Sequence, residues 1–321
     1  MKIVLLGECM VELFQLVENV YHQNFAGDVY NTAVYLKRAA PNLDVQFFSA
    51  VGTDLVSDQL VAAVDAEKIG TSLLLRSKTA RPGLYMINTD CFGERSFVYW
   101  RDSSAAKQVM QLFAAQQKQA ELLTSQWFYF SGISLAILSA ADREQLFVLL
   151  AKLKAAGIKL IFDPNYRPAL WQNNGNDIAQ CREAFIKAYQ LADIALPGLD
   201  DHKVLFEANH AEDVLAQLKT LGVPEILVKN GKEGVLLYAD GQSQAISAVQ
   251  VKKVVDTTAA GDSFNGGYLA ARLQGANAVK SAEYAAALAG FVVQHTGAIV
   301  SRDNFAVFSQ DHPLDFAGAT L

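Results

Sequence analysis

Residues 255–268, with the sequence VDTTAAGDSFNGGY, constrain the fold of this chain more than any other stretch. The β-branched residues of 249–255 predict a strand, and apolar residues recur at helical spacing from Phe264 onward. The loop between them ends in Gly261-Asp262. Free N–H groups and the dipole at the start of a helix favour an anion. The stretch therefore predicts a loop that holds phosphate beside an acid that accepts a proton, as in phosphoryl transfer.

The pair Gly261-Asp262 alone also has a simpler interpretation. Asp is a favoured N-cap residue, so Asp262 would then only begin the helix. Glycine lets a backbone approach a ligand closely or take a positive φ, and Gly261 fits both interpretations. The choice between them depends on the longer string.

The string DTTAAGDSF at 256–264 resembles the C-terminal signature of the ribokinase-like sugar kinases, the phosphofructokinase-B family. The resemblance implies a three-layer α/β/α fold with a mostly parallel central sheet and a small β-sheet lid, in one kinase domain over 1–321. It also implies that Asp262 is the catalytic base, and that the amides of Ala259, Ala260 and Gly261 form an anion hole.

Composition excludes several other classes of protein. The chain has 321 residues, 51% hydrophobic and 19% charged, which suits one large α/β domain or two average ones. A net charge of −6 without a basic run argues against nucleic-acid binding. Three separated cysteines without metal spacing indicate a reducing compartment. The N-terminus lacks a signal-peptide pattern and no apolar run approaches ~18 residues, so we expect a cytoplasmic protein without a membrane partner.

The remaining elements alternate between strands and helices, as in a parallel sheet covered by helices. Strands are predicted at 2–6, 11–16, 45–51, 126–132, 158–162, 193–196, 225–229 and 235–238, and helices mainly at 54–67, 105–123, 140–156 and 278–294. No Walker A motif occurs, and no Gly-x-Gly-x-x-Gly follows the first strand, so P-loop enzymes and Rossmann dehydrogenases are disfavoured.

A hairpin interrupts this alternation. Residues 84–88 and 96–101 predict two strands around the turn 91–94, in a small sheet that stands off the main one. The resemblance implies that segments at about 11–25 and 73–103 form a lid over the sugar. In the family this lid often makes the dimer contact, so a homodimer or a higher homo-oligomer is expected. Tyr85, Tyr99 and Arg101 would then face the substrate. The alternative is an edge hairpin with a solvated Arg101.

A second candidate for sugar contact precedes the first helix. Many members of the family carry a glycine-rich stretch with an Asn that binds sugar hydroxyls, and Gly27, Asp28 and Asn31 match it. Ala26 stands where many relatives have a second glycine. Asp28 as a plain N-cap is the alternative interpretation.

The stretch Asp163-Pro-Asn-x-Arg follows a predicted strand, where open α/β sheets bind ligands. The resemblance implies that Asn165 and Arg167 lie near the nucleotide, with Arg167 between the sugar and the phosphate. A structural arginine in a proline-bounded turn is the alternative for Arg167.

The nucleotide side is predicted at two further places. The turn after Lys229, with Gly231 and Gly234, lies along nucleotide phosphates in the family, although a plain hairpin turn explains it equally well. Gly198 and Asp201 replace an Asn-x-x-Glu motif that many members use near Mg²⁺. Asp201 remains a candidate for holding Mg²⁺ through water, because that ion keeps several waters.

Four segments resemble one branch of the family, the 2-keto-3-deoxygluconate kinases, and they lie at 7–13, 131–138, 165–168 and 256–264. The resemblance implies ATP-dependent phosphorylation of the terminal hydroxyl to give 2-keto-3-deoxy-6-phosphogluconate. A sugar acid needs cationic partners, and Arg101 and Arg167 are candidates. The alternatives are a kinase of a neutral sugar such as fructose and, from another class, a non-catalytic sugar-binding regulator.

Overall fold

The computed structural model describes residues 1–17, 19–89 and 95–314 of the chain. Its strands are β1 (Lys2–Leu6), β2 (Met10–Val17), β3 (Val20–Ala26), β4 (Asp44–Val51), β5 (Leu74–Arg76), β6 (Leu84–Thr89), β7 (Arg95–Trp100), β8 (Trp127–Ser131), β9 (Lys159–Asp163), β10 (Ile194–Ala195), β11 (Glu225–Lys229), β12 (Val235–Ala239) and β13 (Gln242–Ile246). Its helices are α1 (Asp28–Ala39), α2 (Leu55–Ala66), α3 (Val109–Gln116), α4 (Gln119–Leu122), α5 (Gly132–Ala136), α6 (Ala140–Ala155), α7 (Pro168–Asn173), α8 (Ile178–Leu191), α9 (Leu199–Phe206), α10 (Ala211–Thr220), α11 (Ala260–Leu273), α12 (Ala278–Val292) and α13 (Arg302–Asp311).

The main sheet has the strand order β13-β12-β11-β10-β9-β8-β1-β4-β5 and is parallel from β11 to β5. Successive side chains of a strand point to opposite faces, so Val4 and Leu6 join one core while Ile3 and Leu5 join the other. Helices α3, α6, α8 and α10 cover the first face, and α1, α2, α11 and α12 cover the second. The three-layer α/β/α fold is confirmed.

A separate four-stranded sheet has the order β3-β2-β6-β7, and we call it the lid sheet. The hairpin of β6 and β7 agrees with the prediction, while the turn at 91–94, with Cys91, lies outside the described residues. The strand β3 was not predicted as a separate strand. Its residues 20–24 are exposed and carry no apolar alternation, and it is held by pairing with β2.

The strand predicted at 249–255 was wrong, because the chain there has no regular structure. Val249, Val254 and Val255 are exposed, and the Val255 N–H donates to the carbonyl of Val293 rather than to a sheet partner. The single helix predicted over 105–123 is broken at Gln117, which takes a left-handed φ of 52°. Within the described part of the chain, no helix has the length and apolar character that crossing a bilayer requires.

Candidate active site

Asp262 lies in the first turn of α11, whose N-cap residue is Ala259. The interpretation of Asp262 as the N-cap is therefore wrong. Asn31, on α1, donates from Nδ2 to Oδ2 of Asp262 over 2.8 Å, and Thr32 donates to the Asp262 carbonyl over 3.3 Å. The packing of α1 against α11 thus fixes this carboxyl group.

The Asp262 carboxyl group is held in an unusual electrostatic environment. Burial raises its pKa to about 8, and the negative charges of Asp28 and Asp163 act in the same direction. The hydrogen bond from Asn31 and the charge of Lys229 act in the opposite direction. A partly buried carboxyl group with a pKa near neutrality is well matched to accepting and releasing a proton.

Two cavities meet at this carboxyl group. The larger, of about 990 Å³, lies between the lid sheet and the carboxyl edge of the main sheet, and the smaller has a volume of about 260 Å³. Five residues line both cavities: Asn165, Arg167, Thr257, Thr258 and Asp262. A group bound in one cavity therefore meets a group bound in the other beside Asp262.

The predicted substrate residues all line the larger cavity. They are Gly27, Asp28, Asn31, Tyr85, Tyr99, Arg101, Arg167 and Asp262. Arg101 is not solvated, because its guanidinium pairs with buried Glu8 and its side chain is 11% exposed. Tyr85 is likewise buried, and its hydroxyl donates to the carboxylate of Glu12.

Asp28 is not an N-cap, since Gly27 occupies that position of α1. Its carboxylate accepts a hydrogen bond of 3.1 Å from Nδ2 of Asn165, and burial raises its pKa. Asn165 adopts a positive φ of 32°, a conformation that Asn tolerates better than most residues. This bond joins the end of β9 to the start of α1 beside the larger cavity.

The smaller cavity contains a polar network around Lys229. Its Nζ lies 3.3 Å from Oδ1 of Asp163 and donates to Oδ1 of Asn265 over 3.1 Å. Asn265 donates in turn to Oδ2 of Asp163 over 2.7 Å. Gly261 also lines this cavity, and a Cβ at Gly261 would lie 3.7 Å from the ammonium.

Asp201 also lines the smaller cavity, where a Cβ at Gly198 would lie 3.4 Å from its Oδ2. Burial raises its pKa to about 6, while Arg167, with Nη1 3.9 Å from Oδ1, lowers it. Within 1–17, 19–89 and 95–314, no three carboxylate, histidine or cysteine side chains converge as a metal cage. Mg²⁺ commonly uses one or two carboxylates together with substrate phosphates, and Asp201 and Asp163 fit that pattern.

Four predicted residues lie outside the walls of both cavities. Ala259 and Ala260 immediately precede the lining residue Gly261, and the Ala260 N–H donates to the carbonyl of Thr257 over 3.2 Å. Gly231 and Gly234 form the turn after β11 with φ of 52° and 94°. Lys229, the last residue of β11, borders the smaller cavity, while the two glycines of the turn do not.

Sequence reasoning missed several residues of the site. Asp163 belonged to a predicted ligand-binding stretch but had no predicted role, and it holds Lys229 together with Asn265. Glu8 holds Arg101. The rule that ligands bind beyond the carboxyl ends of strands would have identified Glu8, which follows β1. Helical spacing would have identified Asn265, three residues after Asp262.

The raised pKa of Asp262 gives a first prediction. The folded pKa of about 8 exceeds the unfolded value near 3.8, so the folded state binds the extra proton between these values. Stability is therefore lost as pH rises through this window, by up to about 1.4 kcal/mol per pH unit. We expect Asp262→Asn to raise Tm relative to the wild type by an amount that grows from about pH 4 and levels off above pH 8.

Calorimetry or dye-based melting across this pH range measures the effect. The variant Asp65→Asn, at an exposed position of α2, controls for the loss of one carboxylate. A Tm difference that stays constant with pH, or that shrinks as pH rises, would contradict the assignment of a raised pKa to Asp262.

Comparison with known proteins identifies the family of this chain. The model of the pfkB family carbohydrate kinases matches residues 1–304. The 2-dehydro-3-deoxygluconokinase of Escherichia coli K12 is 41% identical over 307 residues, which cover 94% of this chain and 98% of that protein. A fructokinase of Vibrio alginolyticus is 28% identical, with coverage of 82% and 81%.

Solved structures of sugar kinases have the same fold as this chain. The fructokinase of Xylella fastidiosa with bound ATP superposes with a TM-score of 0.80 at 25% identity, covering 96% of this chain and 98% of that one. The family model matches almost the whole chain, and the relatives include proteins above 30% identity. This chain belongs to the pfkB family of carbohydrate kinases.

Proposed function

We propose that the protein transfers the γ-phosphoryl group of ATP to the terminal hydroxyl of 2-keto-3-deoxygluconate. One observation carries the proposal: Asp262 borders both cavities, at the place where an acceptor in one meets a phosphoryl donor in the other. The identity of 41% with an E. coli 2-dehydro-3-deoxygluconokinase, against 28% with a fructokinase, supports this acceptor.

We assign the donor phosphates to the smaller cavity. Lys229 supplies a positive charge there, and the N-terminus of α11 supplies backbone N–H groups at Gly261. Asn165 and Arg167 stand on the border with the sugar. Mg²⁺ held through Asp201, directly or by water, would neutralise phosphate charge and favour the ionised form of Asp262.

We assign the sugar acid to the larger cavity beneath the lid sheet. Arg101 offers a buried guanidinium to the carboxylate, which suits a planar anion better than a neutral sugar. Tyr85 and Tyr99, whose ring centroids lie 5.7 Å apart, provide an aromatic wall on the lid side. Gly27, Asp28 and Asn31 provide the wall on the side of α1.

The chemical step follows from the position of Asp262. The terminal hydroxyl oxygen attacks the γ-phosphorus, and the bond from this phosphorus to the bridging oxygen of ADP breaks. Asp262 accepts the hydroxyl proton, so the ionised carboxylate becomes neutral as the phosphate ester forms. Lys229 and the start of α11 stabilise charge on the transferring group.

The test is ADP release from ATP and Mg²⁺ with 2-keto-3-deoxygluconate, fructose, ribose and gluconate as acceptors. We expect a strong preference for the keto-deoxy acid. A preference for fructose or ribose would retain Asp262 as the base but overturn the carboxylate argument. ADP release that none of the four acceptors stimulates would contradict the proposed reaction.

We also propose a homodimer through the lid sheet. Phe97 and Tyr99 line the larger cavity, so the alternating side chains of Val98 and Trp100 point away from it, and these are 43% and 54% exposed. Such a solvent-facing apolar strand surface suits burial against a second copy.

We also propose a cytoplasmic location. It is favoured by ATP as the donor and by Cys9 and Cys181, which are buried free thiols.

We expect Val98→Asp to convert the dimer to monomer in analytical ultracentrifugation, because a charge would be buried in the interface. Val148→Asp, at a 56% exposed position of α6, is the matched control and should leave the sedimentation coefficient unchanged. A monomeric wild type, or a dimer that survives Val98→Asp, would contradict this interface.

A further inference from the structure

Glu8 lies where the chain passes between the main sheet and the lid sheet. Within residues 1–17, 19–89 and 95–314 this passage occurs four times: from β1 to β2, from β3 to α1, from β5 to β6, and after β7. A Cβ at Gly27 would lie 2.2 Å from the Glu8 carbonyl oxygen, and a Cβ at Gly83 would lie 2.8 Å from Glu8 Oε1. Two of the other passages therefore pack directly against Glu8.

The fourth passage contacts Glu8 through an ion pair. Arg101 follows β7, and its Nη2 donates to Oε2 of Glu8. Glu8 is 2% exposed, so the pair is largely shielded from water. A hydrogen-bonded ion pair in such surroundings fixes the orientation of the guanidinium.

The pair leaves hydrogen-bonding capacity unused. Arg101 Nε and Glu8 Oε1 are both buried and have no hydrogen-bond partner among the residues that the structure describes. Buried polar groups are normally paired. The guanidinium carries five N–H donors, more than Glu8 engages, and Arg101 lines the cavity assigned to the sugar acid.

We propose that Glu8 is a positioning residue for recognition of the substrate carboxylate. It holds Arg101 from the main-sheet side, so that the remaining guanidinium donors meet the carboxylate when the lid sheet is in place. The inference rests on the proposed function, because it concerns the sugar acid of that reaction. Recognition of the acid then depends on the placement of the lid sheet, because the lid sheet carries Arg101 to Glu8.

Glu8 has two opposing effects on the bound acid. It repels a second carboxylate, and it spares the substrate the cost of ordering a long, flexible side chain. The positioning effect dominates, because the pair already holds the guanidinium buried and oriented, so its free donors are fixed before the acid binds.

The first test is Glu8→Gln, which keeps the shape and an acceptor oxygen but removes the charge. We expect KM for 2-keto-3-deoxygluconate to rise about 10-fold with kcat nearly retained, since the carboxylate end contributes uniform binding. Isothermal titration calorimetry with the sugar acid alone, without ATP, should show the same loss of affinity. A lower KM would show that Glu8 only competes for Arg101, and would overturn the proposal.

A double-mutant cycle with Arg101→Gln separates positioning from a general structural role. If Glu8 acts through Arg101, Glu8→Gln changes KM by less than about 2-fold in the Arg101→Gln background. An equal effect in both backgrounds, or a loss of kcat alone, would contradict the proposal. Thermal melting of each variant identifies any loss of folding.

Gly83→Ala provides a variant that removes neither charge. The added methyl group would lie 2.8 Å from Glu8 Oε1 and 3.1 Å from Cβ of Arg101, so it displaces the pair. We expect a raised KM with kcat nearly retained, and an unchanged KM would count against the geometry. A wild type that binds the acid but does not phosphorylate it would refute the proposed reaction while the calorimetric test of Glu8 still applies.

Discussion

Asp262→Asn should fold, bind ATP and the sugar acid, and lose about 10³- to 10⁴-fold in kcat, the range that general base catalysis typically contributes. The amide has nearly the shape of the carboxyl group but accepts no proton at neutral pH. Asn31 and Thr32 hold residue 262 through Nδ2 and Oγ1, so the backbone of α11 should keep its place. Steady-state and single-turnover measurements of ADP formation give the loss.

The matched control for this variant is Ser263→Ala. Ser263 is buried in the same turn, and its hydroxyl donates to the Ala260 carbonyl over 3.0 Å, but it lines neither cavity. We expect activity within a few-fold of the wild type for the control. Near-normal turnover by Asp262→Asn, or an equal loss in both variants, would refute Asp262 as the base.

Arg101→Gln should raise KM for 2-keto-3-deoxygluconate by about 100-fold, because a buried, charge-assisted pair with the carboxylate is lost. We expect kcat to change much less, since the carboxylate lies at the opposite end of the substrate from the reacting hydroxyl. Any slow turnover of fructose should be affected less, because fructose has no carboxylate. Initial rates over a range of both acceptors measure this difference.

Arg81→Gln is the control for the loss of a positive charge near the lid sheet. Arg81 is exposed, and its carbonyl accepts a hydrogen bond of 2.8 Å from Ala105 just beyond the lid sheet. The control should leave both KM values nearly unchanged. Equal losses for the acid and for fructose in Arg101→Gln would assign Arg101 a structural role instead of carboxylate recognition.

Local sequence patterns predicted the helices and strands that are determined by their own residues. The strand at 225–229 matches β11, because a short apolar run ends at a glycine-containing turn. The strand predicted at 249–255 failed because β propensity mainly reflects packing against a partner, and these valines have no partner strand. The strand β3 was missed as a separate element because its exposed residues carry no alternation.

The site shows the same division between local and long-range information. The motif at 256–264 predicted Asp262, and the structure places it beside both cavities. Its pKa is raised mainly by burial and further by the charges of Asp28 and Asp163, which come from distant segments of the chain. The pair of Glu8 with Arg101 joins residues 93 positions apart, so no local pattern reports it.

The most direct test of the proposed reaction is ³¹P NMR of the product formed from equimolar ATP and 2-keto-3-deoxygluconate. We expect one new phosphomonoester coupled to the protons of the terminal carbon, formed together with ADP by the wild type and nearly absent with Asp262→Asn. Phosphate attached at another carbon, or only inorganic phosphate beside ADP, would contradict it.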